Sequence, residues 1–183
     1  MITNLNHFLL LKSLEEFALG LEHTNGQLIF HLKKTYNYLV EWGNREALCL
    51  AGLYHAAYST DGYTQQLMDL SHRGKIISLI GIEAENIVYY YAACDRDYFY
   101  DKIGRSEVLL YRNRFTHRES VLKLQLFCDL LELTFANEID IVSNNQDFKE
   151  KHRDWYTELF ERFKPYVSSK AFQSYLDVFA YQN

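Results

Sequence analysis

Two histidines lie on the apolar faces of consecutive predicted helices. His31 shares a face with Leu28 and Leu39, and His55 shares one with Ala51, at the three- or four-residue spacing that aligns side chains along a helix. Burying an imidazole without partners costs about 1–3 kcal/mol, so these positions normally carry Leu or Ile. We expect the two imidazoles to meet in one interior site, either as functional groups or as hydrogen-bonded core histidines.

A neutral amide accompanies them. Asn137 lies on the apolar face of a long predicted helix, in line with Leu133 and Ile141. Without a metal, His55 is the preferred general base, and Asn137 either orients it or donates a hydrogen bond to a developing oxyanion. His55 and Asn137 are therefore the catalytic candidates.

A metal is the other chemistry that paired histidines suggest. Asp95 follows a strongly apolar predicted helix, so its carboxylate could reach the mouth of a pocket. Two imidazoles and a carboxylate suit Zn²⁺, or Fe²⁺ with open coordination positions, and Mn²⁺ is the third candidate ion. We predict His31, His55 and Asp95 as metal ligands. A salt-bridged acid in a turn is the alternative interpretation of Asp95.

Aromatic and charged residues surround these positions in the sequence. Tyrosine buries a ring and presents a hydroxyl, which suits the pocket of an organic ligand and equally the edge of a core. Arg96, with Arg73, Arg112 and Arg114, could bind a phosphate or carboxylate, or could pair with acids of the chain. The predicted ligand pocket comprises His23, Tyr58, Asp61, Arg96 and Glu138.

Composition indicates one all-α domain over residues 1–183, because the chain is 48% hydrophobic and contains a single proline. The net charge of −5 opposes a broad nucleic-acid surface. The sequence shows neither a leader pattern nor an apolar span, so we expect a cytoplasmic protein with a small-molecule ligand and no membrane partner. A homo-oligomer is left open. Three cysteines without metal-type spacing are expected to be buried free thiols.

The elements that must position the candidates are mostly helices. Capping boxes at Thr24 with Gln27 and at Thr116 with Glu119 predict two helix starts, and Asn44 is predicted to cap a third helix. Residues 108–115 are left open as an extended connector or a short strand. The predicted helices cover about residues 6–19, 24–42, 45–58, 63–70, 73–80, 82–94, 116–142, 148–163 and 169–179. The last two, within residues 148–180, are expected to close the bundle. A turn is predicted at Asp61-Gly62.

The order and spacing of these residues resemble the HD-domain superfamily of metal-dependent phosphohydrolases, and most closely the hydrolase domain of RelA/SpoT-type alarmone enzymes. His31 and His55 are 55 − 31 = 24 residues apart, like the interval in that subfamily. Residues 51–55 resemble the apolar run that ends in the His-Asp pair of that subfamily. Residues 80–88 resemble the segment after its catalytic loop, and residues 133–138 resemble the stretch that carries its last metal-binding aspartate. The resemblance covers residues 28–142.

The resemblance implies an HD-like helical bundle, but the sequence departs from the family at its carboxylates. Ala56 stands in place of the aspartate of the His-Asp pair, Asn137 in place of the last carboxylate ligand, and Ser59 and Thr60 in place of an acidic pair. A His-Leu followed by Ala-Gly-Leu-x-His also resembles a group of bacterial HD-like proteins. The implied function is a metal-dependent hydrolase or oxygenase acting on a small metabolite. The alternatives are a catalytically inactive ligand-sensing or interaction module, and a purely structural polar network.

Overall fold

The structure, a computed structural model, describes residues 4–18, 20–23 and 26–180. Within them the chain is mostly α-helical with four short strands, as the composition predicted, and no described helix is long and apolar enough to cross a membrane. The helices are α1 Asn4–Phe17, α2 Leu28–Glu41, α3 Glu46–Tyr54, α4 Arg73–Ala92, α5 Arg96–Lys102, α6 Leu124–Ser143, α7 Gln146–Phe163 and α8 Ser169–Ala180. The strands β1 Glu22–His23 and β2 Gly26–Gln27 pair antiparallel, as do β3 Leu110–Arg112 and β4 Glu119–Val121.

Helix α6 is the central element, packing against α2, α3, α4, α7 and α8. Nearly all of its residues from Phe127 to Val142 are buried, which is typical of a helix surrounded by others, and the buried residues include Asn137, Glu138 and Asp140. Phe135 on α6 stacks on Phe160 of α7 with ring centroids 4.2 Å apart, and Tyr175 of α8 packs edge-on against Phe160. The two C-terminal helices therefore cover one side of α6 with aromatic rings.

Helices α2 and α3 approach closely at a glycine. A Cβ atom added to Gly52 would lie 2.5 Å from Cδ1 of Leu39, which is fully buried on α2. Three residues later, at the C-terminal end of α3, comes His55. The missing side chain at Gly52 thus allows the contact that brings α3 beside the face of α2 that carries His31.

Three predicted helix caps are wrong, because residues of each predicted cap make other contacts. Gln27 pairs with Glu22 in the β1–β2 hairpin, so α2 begins at Leu28; Thr24 lies outside the described residues. Glu119 pairs with Arg112 in the β3–β4 hairpin, and α6 begins only at Leu124. Asn44 precedes the N-cap position of α3 and donates its amide to Glu132 on α6 at 3.1 Å.

Other differences lie in the middle of the chain. The helix predicted at 63–70 is a loop ending in a 3₁₀ turn, Leu70–His72, and α3 ends four residues before Tyr58. Helix α5 was not predicted at all. The predicted separation of helices 73–80 and 82–94 is confirmed as a break within α4, where Gly81 has a positive φ of 82°. The open segment 108–115 contains β3, and the Asp61-Gly62 turn is confirmed between paired Thr60 and Tyr63.

Candidate functional site

The two histidines meet in the interior, although 24 residues separate them. Their Nε2 atoms are 3.2 Å apart, and the rings meet edge to face with centroids 5.1 Å apart. His31 is 4% exposed and His55 is 2% exposed, so bulk water contributes little to the solvation of either ring. The polar partners of these imidazoles therefore decide what they can do.

Each imidazole is held through its Nδ1 atom. Nδ1–H of His55 donates to the carbonyl oxygen of Gly52 at 2.8 Å, and Nδ1–H of His31 donates to Oδ2 of buried Asp140 at 2.7 Å. Because a carbonyl and a carboxylate only accept, these bonds assign the proton of each neutral ring to Nδ1 and leave a lone pair on Nε2. Metal-ligating histidines commonly show the same outer hydrogen bond to a carbonyl or carboxylate.

Asp140 is ionised in this arrangement. Burial opposes its charge, but the hydrogen bond from His31 and the attraction of His31 and Lys34 hold the pKa of its carboxyl below the ordinary value. Lys34 places Nζ 3.3 Å from the second carboxylate oxygen. A charged Asp140 fixes the orientation and the tautomer of the His31 ring.

Asn137 completes the cluster from α6. Its Oδ1 atom lies 3.1 Å from Nε2 of His31, and its Nδ2 donates to Oε1 of Glu138 at 2.9 Å. Glu138 also accepts a 2.5 Å hydrogen bond from the Tyr156 hydroxyl and lies 3.7 Å from Nη1 of Arg96. Since the Glu138 carboxylate accepts the amide N–H, the oxygen of Asn137 is directed at the histidines.

A cavity of about 630 Å³ opens beside this cluster. His55, Ala56 and Asn137 line its buried end, whereas Asp61 and Asp97 are exposed at its mouth. This volume lies within the range typical of small-molecule sites, about 300–1,000 Å³. The remaining lining residues are Thr60, Gly62, Tyr63, Arg96, Tyr100, Glu138, Ile141, Phe148, His152, Trp155 and Tyr156.

The structure does not place every predicted site residue at this cavity. His55, Asn137, Asp61, Arg96 and Glu138 line it, and His31 contacts the first two without lining the cavity itself. The Asp95 carboxylate instead caps α5 through Tyr98 N–H at 3.1 Å and accepts from Arg112 Nε at 2.7 Å. Asp95 is thus a salt-bridged acid in a turn, as the alternative interpretation held. Among the described residues, it is not one of those that contact the histidines or line the cavity. Tyr58 donates instead to buried Glu85 at 2.9 Å, away from the cavity lining. His23 lies on β1, and its side chain is outside the described part of the structure.

Sequence analysis missed one whole wall of the cavity. Helix α7 contributes Phe148, His152, Trp155 and Tyr156, which recur at intervals of four, three and one residues. That spacing lies along one helix face and was a usable signal. The sequence predicts only that this helix closes the bundle, because the same spacing is equally typical of a face that packs against a core.

The donor set can be compared with what a metal needs. No group of three His, Cys, Asp or Glu side chains among the described residues is arranged to hold a metal, so any ion here would depend on two imidazoles and the amide oxygen of Asn137. Two ligands of one tetrahedral ion, each about 2.0–2.1 Å from it, are about 3.3–3.4 Å apart. The observed separations of 3.2 and 3.1 Å resemble this spacing. Neutral nitrogen donors favour Zn²⁺ or Fe²⁺ over harder ions such as Mn²⁺.

Comparison with known proteins gives one similarity. A family model described as a domain of unknown function (DUF6817) matches residues 13–96. The matched segment includes both histidines, Asp61 and Arg96, and it ends before α6, which carries Asn137. No curated protein and no solved structure matches the chain significantly. The similarity therefore covers the part of the site formed by α2 to α4, and the matched family has no described activity.

Proposed function

We propose that this protein is a metal-dependent enzyme, built on an HD-like helical bundle, that acts on a small organic molecule in the cavity. The observation that carries the proposal is the approach of His55 Nε2 and Asn137 Oδ1 to His31 Nε2, at 3.2 and 3.1 Å, beside a cavity large enough for a metabolite. The order of these three residues along the chain, which resembles that of HD-domain enzymes, supports it.

His31 and His55 would hold the ion through Nε2, and Asn137 through Oδ1. Zn²⁺ or Fe²⁺ suits these neutral donors, and when bound such an ion supplies a Lewis acid for hydrolysis or, if it is iron, a site for oxygen chemistry. Asp140 and the Gly52 carbonyl keep both imidazoles in the Nδ1–H form. Glu138 keeps the amide oxygen of Asn137 directed at them.

A second candidate is a ligand-binding module without catalysis. Ala56 lines the cavity where the resembling enzymes have an aspartate, and both carboxylate oxygens of Glu138 already accept hydrogen bonds. In this case a doubly protonated His31, paired with Asp140, would donate Nε2–H to Asn137 Oδ1 or His55 Nε2. The same cluster would then form the polar floor of a binding pocket.

Metal content separates the two functions. We expect near-stoichiometric zinc or iron by plasma mass spectrometry in the untagged protein and its loss in His31→Ala/His55→Ala. The control His72→Ala/His117→Ala also removes two histidines, both exposed, and should keep the metal. If the first variant does not fold, as judged by circular dichroism, His55→Gln provides the same comparison.

Two results would contradict a metal-dependent enzyme. One is wild-type protein free of metal even after incubation with Zn²⁺, Fe²⁺ or Mn²⁺, which would support the ligand-binding module. The other is metal retained in the folded histidine variant, which would place the ion elsewhere in the protein.

A further inference from the structure

The mouth of the cavity is acidic. Of its lining residues, Asp61 and Asp97 are exposed carboxylates, one in the loop after α3 and one on α5. Oδ2 of Asp61 also accepts a hydrogen bond from the backbone N–H of Arg96 at 3.0 Å. Among the described lining residues there is no lysine, and Arg96 is the single arginine. A ligand entering the cavity therefore meets negative charge first, whatever the buried end contains.

Arg96 is committed to contacts within the protein. Nη2 donates to the Tyr91 hydroxyl at 3.1 Å, Nη1 faces Glu138, and only 17% of the side chain is exposed. Burial alone would lower the pKa of its guanidinium, but Tyr91, Tyr100 and Glu138 raise it above the ordinary value. Arg96 thus remains charged, and its charge is balanced by Glu138 rather than offered to a ligand.

The other arginines that the sequence suggested for anion binding are also occupied. Arg73 makes two hydrogen bonds to Glu85, at 2.6 and 2.8 Å, and Arg112 binds Asp95. Arg114 donates to the carbonyl oxygen of Ala92 and to Ser59. None of the three lines the cavity. A phosphate or carboxylate ligand would therefore face the acidic mouth without an uncommitted arginine to offset its charge.

Aromatic rings form much of the cavity wall. Trp155 is 48% exposed, and Tyr63, Tyr100 and Phe148 are half-buried around the same space. The electron-rich faces of such rings attract organic cations, most strongly when the cation is a weakly hydrated ammonium group. Carboxylates at the mouth and rings along the wall thus favour the same kind of ligand.

We infer that the cavity binds a small organic cation, an amine or quaternary ammonium compound, whose charge is held by the carboxylates of the mouth and the faces of the aromatic rings. The inference rests on the proposed function in treating the cavity as the substrate site. It concerns the mouth and wall, however, and does not require an ion at the histidines.

Four probes with a common aromatic body test this inference by calorimetric titration at low ionic strength: 2-phenylethylammonium, 2-phenylethanol, 3-phenylpropanoate and phenyl phosphate. We expect the ammonium compound to bind at least about fivefold more tightly than the alcohol, and the two anions to bind more weakly still. Asp61→Asn/Asp97→Asn should weaken ammonium binding about tenfold. Glu107→Gln/Asp177→Asn, which changes the net charge equally at exposed positions outside the cavity, should not.

Tighter binding of either anion would overturn the inference, as would ammonium binding unaffected by the Asp61 and Asp97 substitutions. Failure of all four probes to bind at about 10 mM would also overturn it, because this exceeds the dissociation constant of even a weak specific site. Metal content is measured on the same samples. Ammonium selectivity without metal would contradict the metal-dependent enzyme alone, and metal without ammonium selectivity would contradict this inference alone.

Discussion

At the scale of single residues, the site is defined by hydrogen bonds that fix which atom of each side chain faces the cluster. Asp140 and Gly52 hold the Nδ1 atoms of the two histidines, and Glu138 holds the amide nitrogen of Asn137. Two nitrogens and one oxygen consequently face each other in the interior. The cluster lacks an anionic metal ligand. Asn137→Asp supplies one by replacing the amide NH₂ group with a carboxylate oxygen.

Asn137→Asp should strengthen metal binding. Without metal, the new carboxylate lies buried next to Glu138, so like-charge repulsion should lower the melting temperature. With Zn²⁺, an anionic ligand should raise the affinity at least about tenfold and restore the melting temperature. Thermal unfolding with chelator and with Zn²⁺ measures both effects. Asn145→Asp is the control, because Asn145 caps α7 and aspartate caps equally well. Equal stabilisation of wild type and Asn137→Asp by Zn²⁺ would contradict the prediction.

At the scale of elements, close packing of α2 on α3 determines whether the two histidines meet. The helices are joined by a short turn and touch where Gly52 faces Leu39. A second contact between elements is made by the Asp95 carboxylate, which caps the start of α5 and binds Arg112 of β3. Each of these two contacts can be tested by a substitution that leaves His31, His55 and Asn137 unchanged.

Gly52→Ala should destabilise the fold by about 1–3 kcal/mol, because its methyl group would overlap the fully buried Leu39. Displacement of α3 should also reduce any metal binding. Gly74→Ala is the matched control: Gly74 lies in the first turn of α4, with nothing within 4 Å of an added Cβ, so stability should stay level or rise slightly. Urea unfolding compares the two variants. An equal effect at both glycines would refute the close-packing explanation.

Asp95→Asn should reveal a pH-dependent link between α5 and β3. Burial raises the pKa of this carboxyl, but the hydrogen bonds from Arg112 and Tyr98 N–H bring it below the ordinary 3.8. The ionised form therefore adds stability above about pH 4, and this stability is lost as the pH falls through the lowered folded value. We expect a melting temperature lower by about 2–4 °C at pH 7 and a difference that shrinks as the pH falls below 3.8. Asp101→Asn, on the exposed side of α5, should change little. A difference constant with pH would exclude the ionic contribution.

At the scale of the whole molecule, the C-terminal helices do more than cover the core. Helix α7 supplies one wall of the cavity and, through Tyr156, a hydrogen bond to Glu138 on α6. That bond connects the wall to the residue that orients Asn137. The stability of the C-terminal half and the geometry of the polar cluster are therefore coupled.

Tyr156→Phe should lower the free energy of unfolding by about 1–3 kcal/mol, because it removes a hydrogen bond from a buried carboxylate. Burial, followed by the charge of Glu138, raises the pKa of the Tyr156 hydroxyl, so this group remains a donor at neutral pH. Urea denaturation measures the loss. In the control Tyr166→Phe the ring still packs on Phe127, 5.0 Å away, and little change is expected. Unchanged stability in both variants would show that Glu138 does not depend on Tyr156.

Much of the helical fold was predictable, because helix periodicity is local information. The apolar stripes located α2, α4, α6, α7 and α8, and they placed His31 and Asn137 on inward faces. Helix starts were less predictable, since Gln27 and Glu119, which fit capping boxes, pair in hairpins instead. Pairing with a residue five or seven positions earlier outweighed the capping preference.

By itself, the sequence determined that His31, His55 and Asn137 would be buried on helix faces, because a residue spaced in register with apolar residues is buried together with them. Only the tertiary structure decided which partners they have. Asp140 binds His31 across 109 residues of chain, and Arg112 pairs with Asp95 outside the site. Helix α7 closes a cavity whose other lining residues belong to distant parts of the chain. Hydrogen-bond geometry and charge pairing depend on distances between elements, and packing of the whole molecule sets those distances.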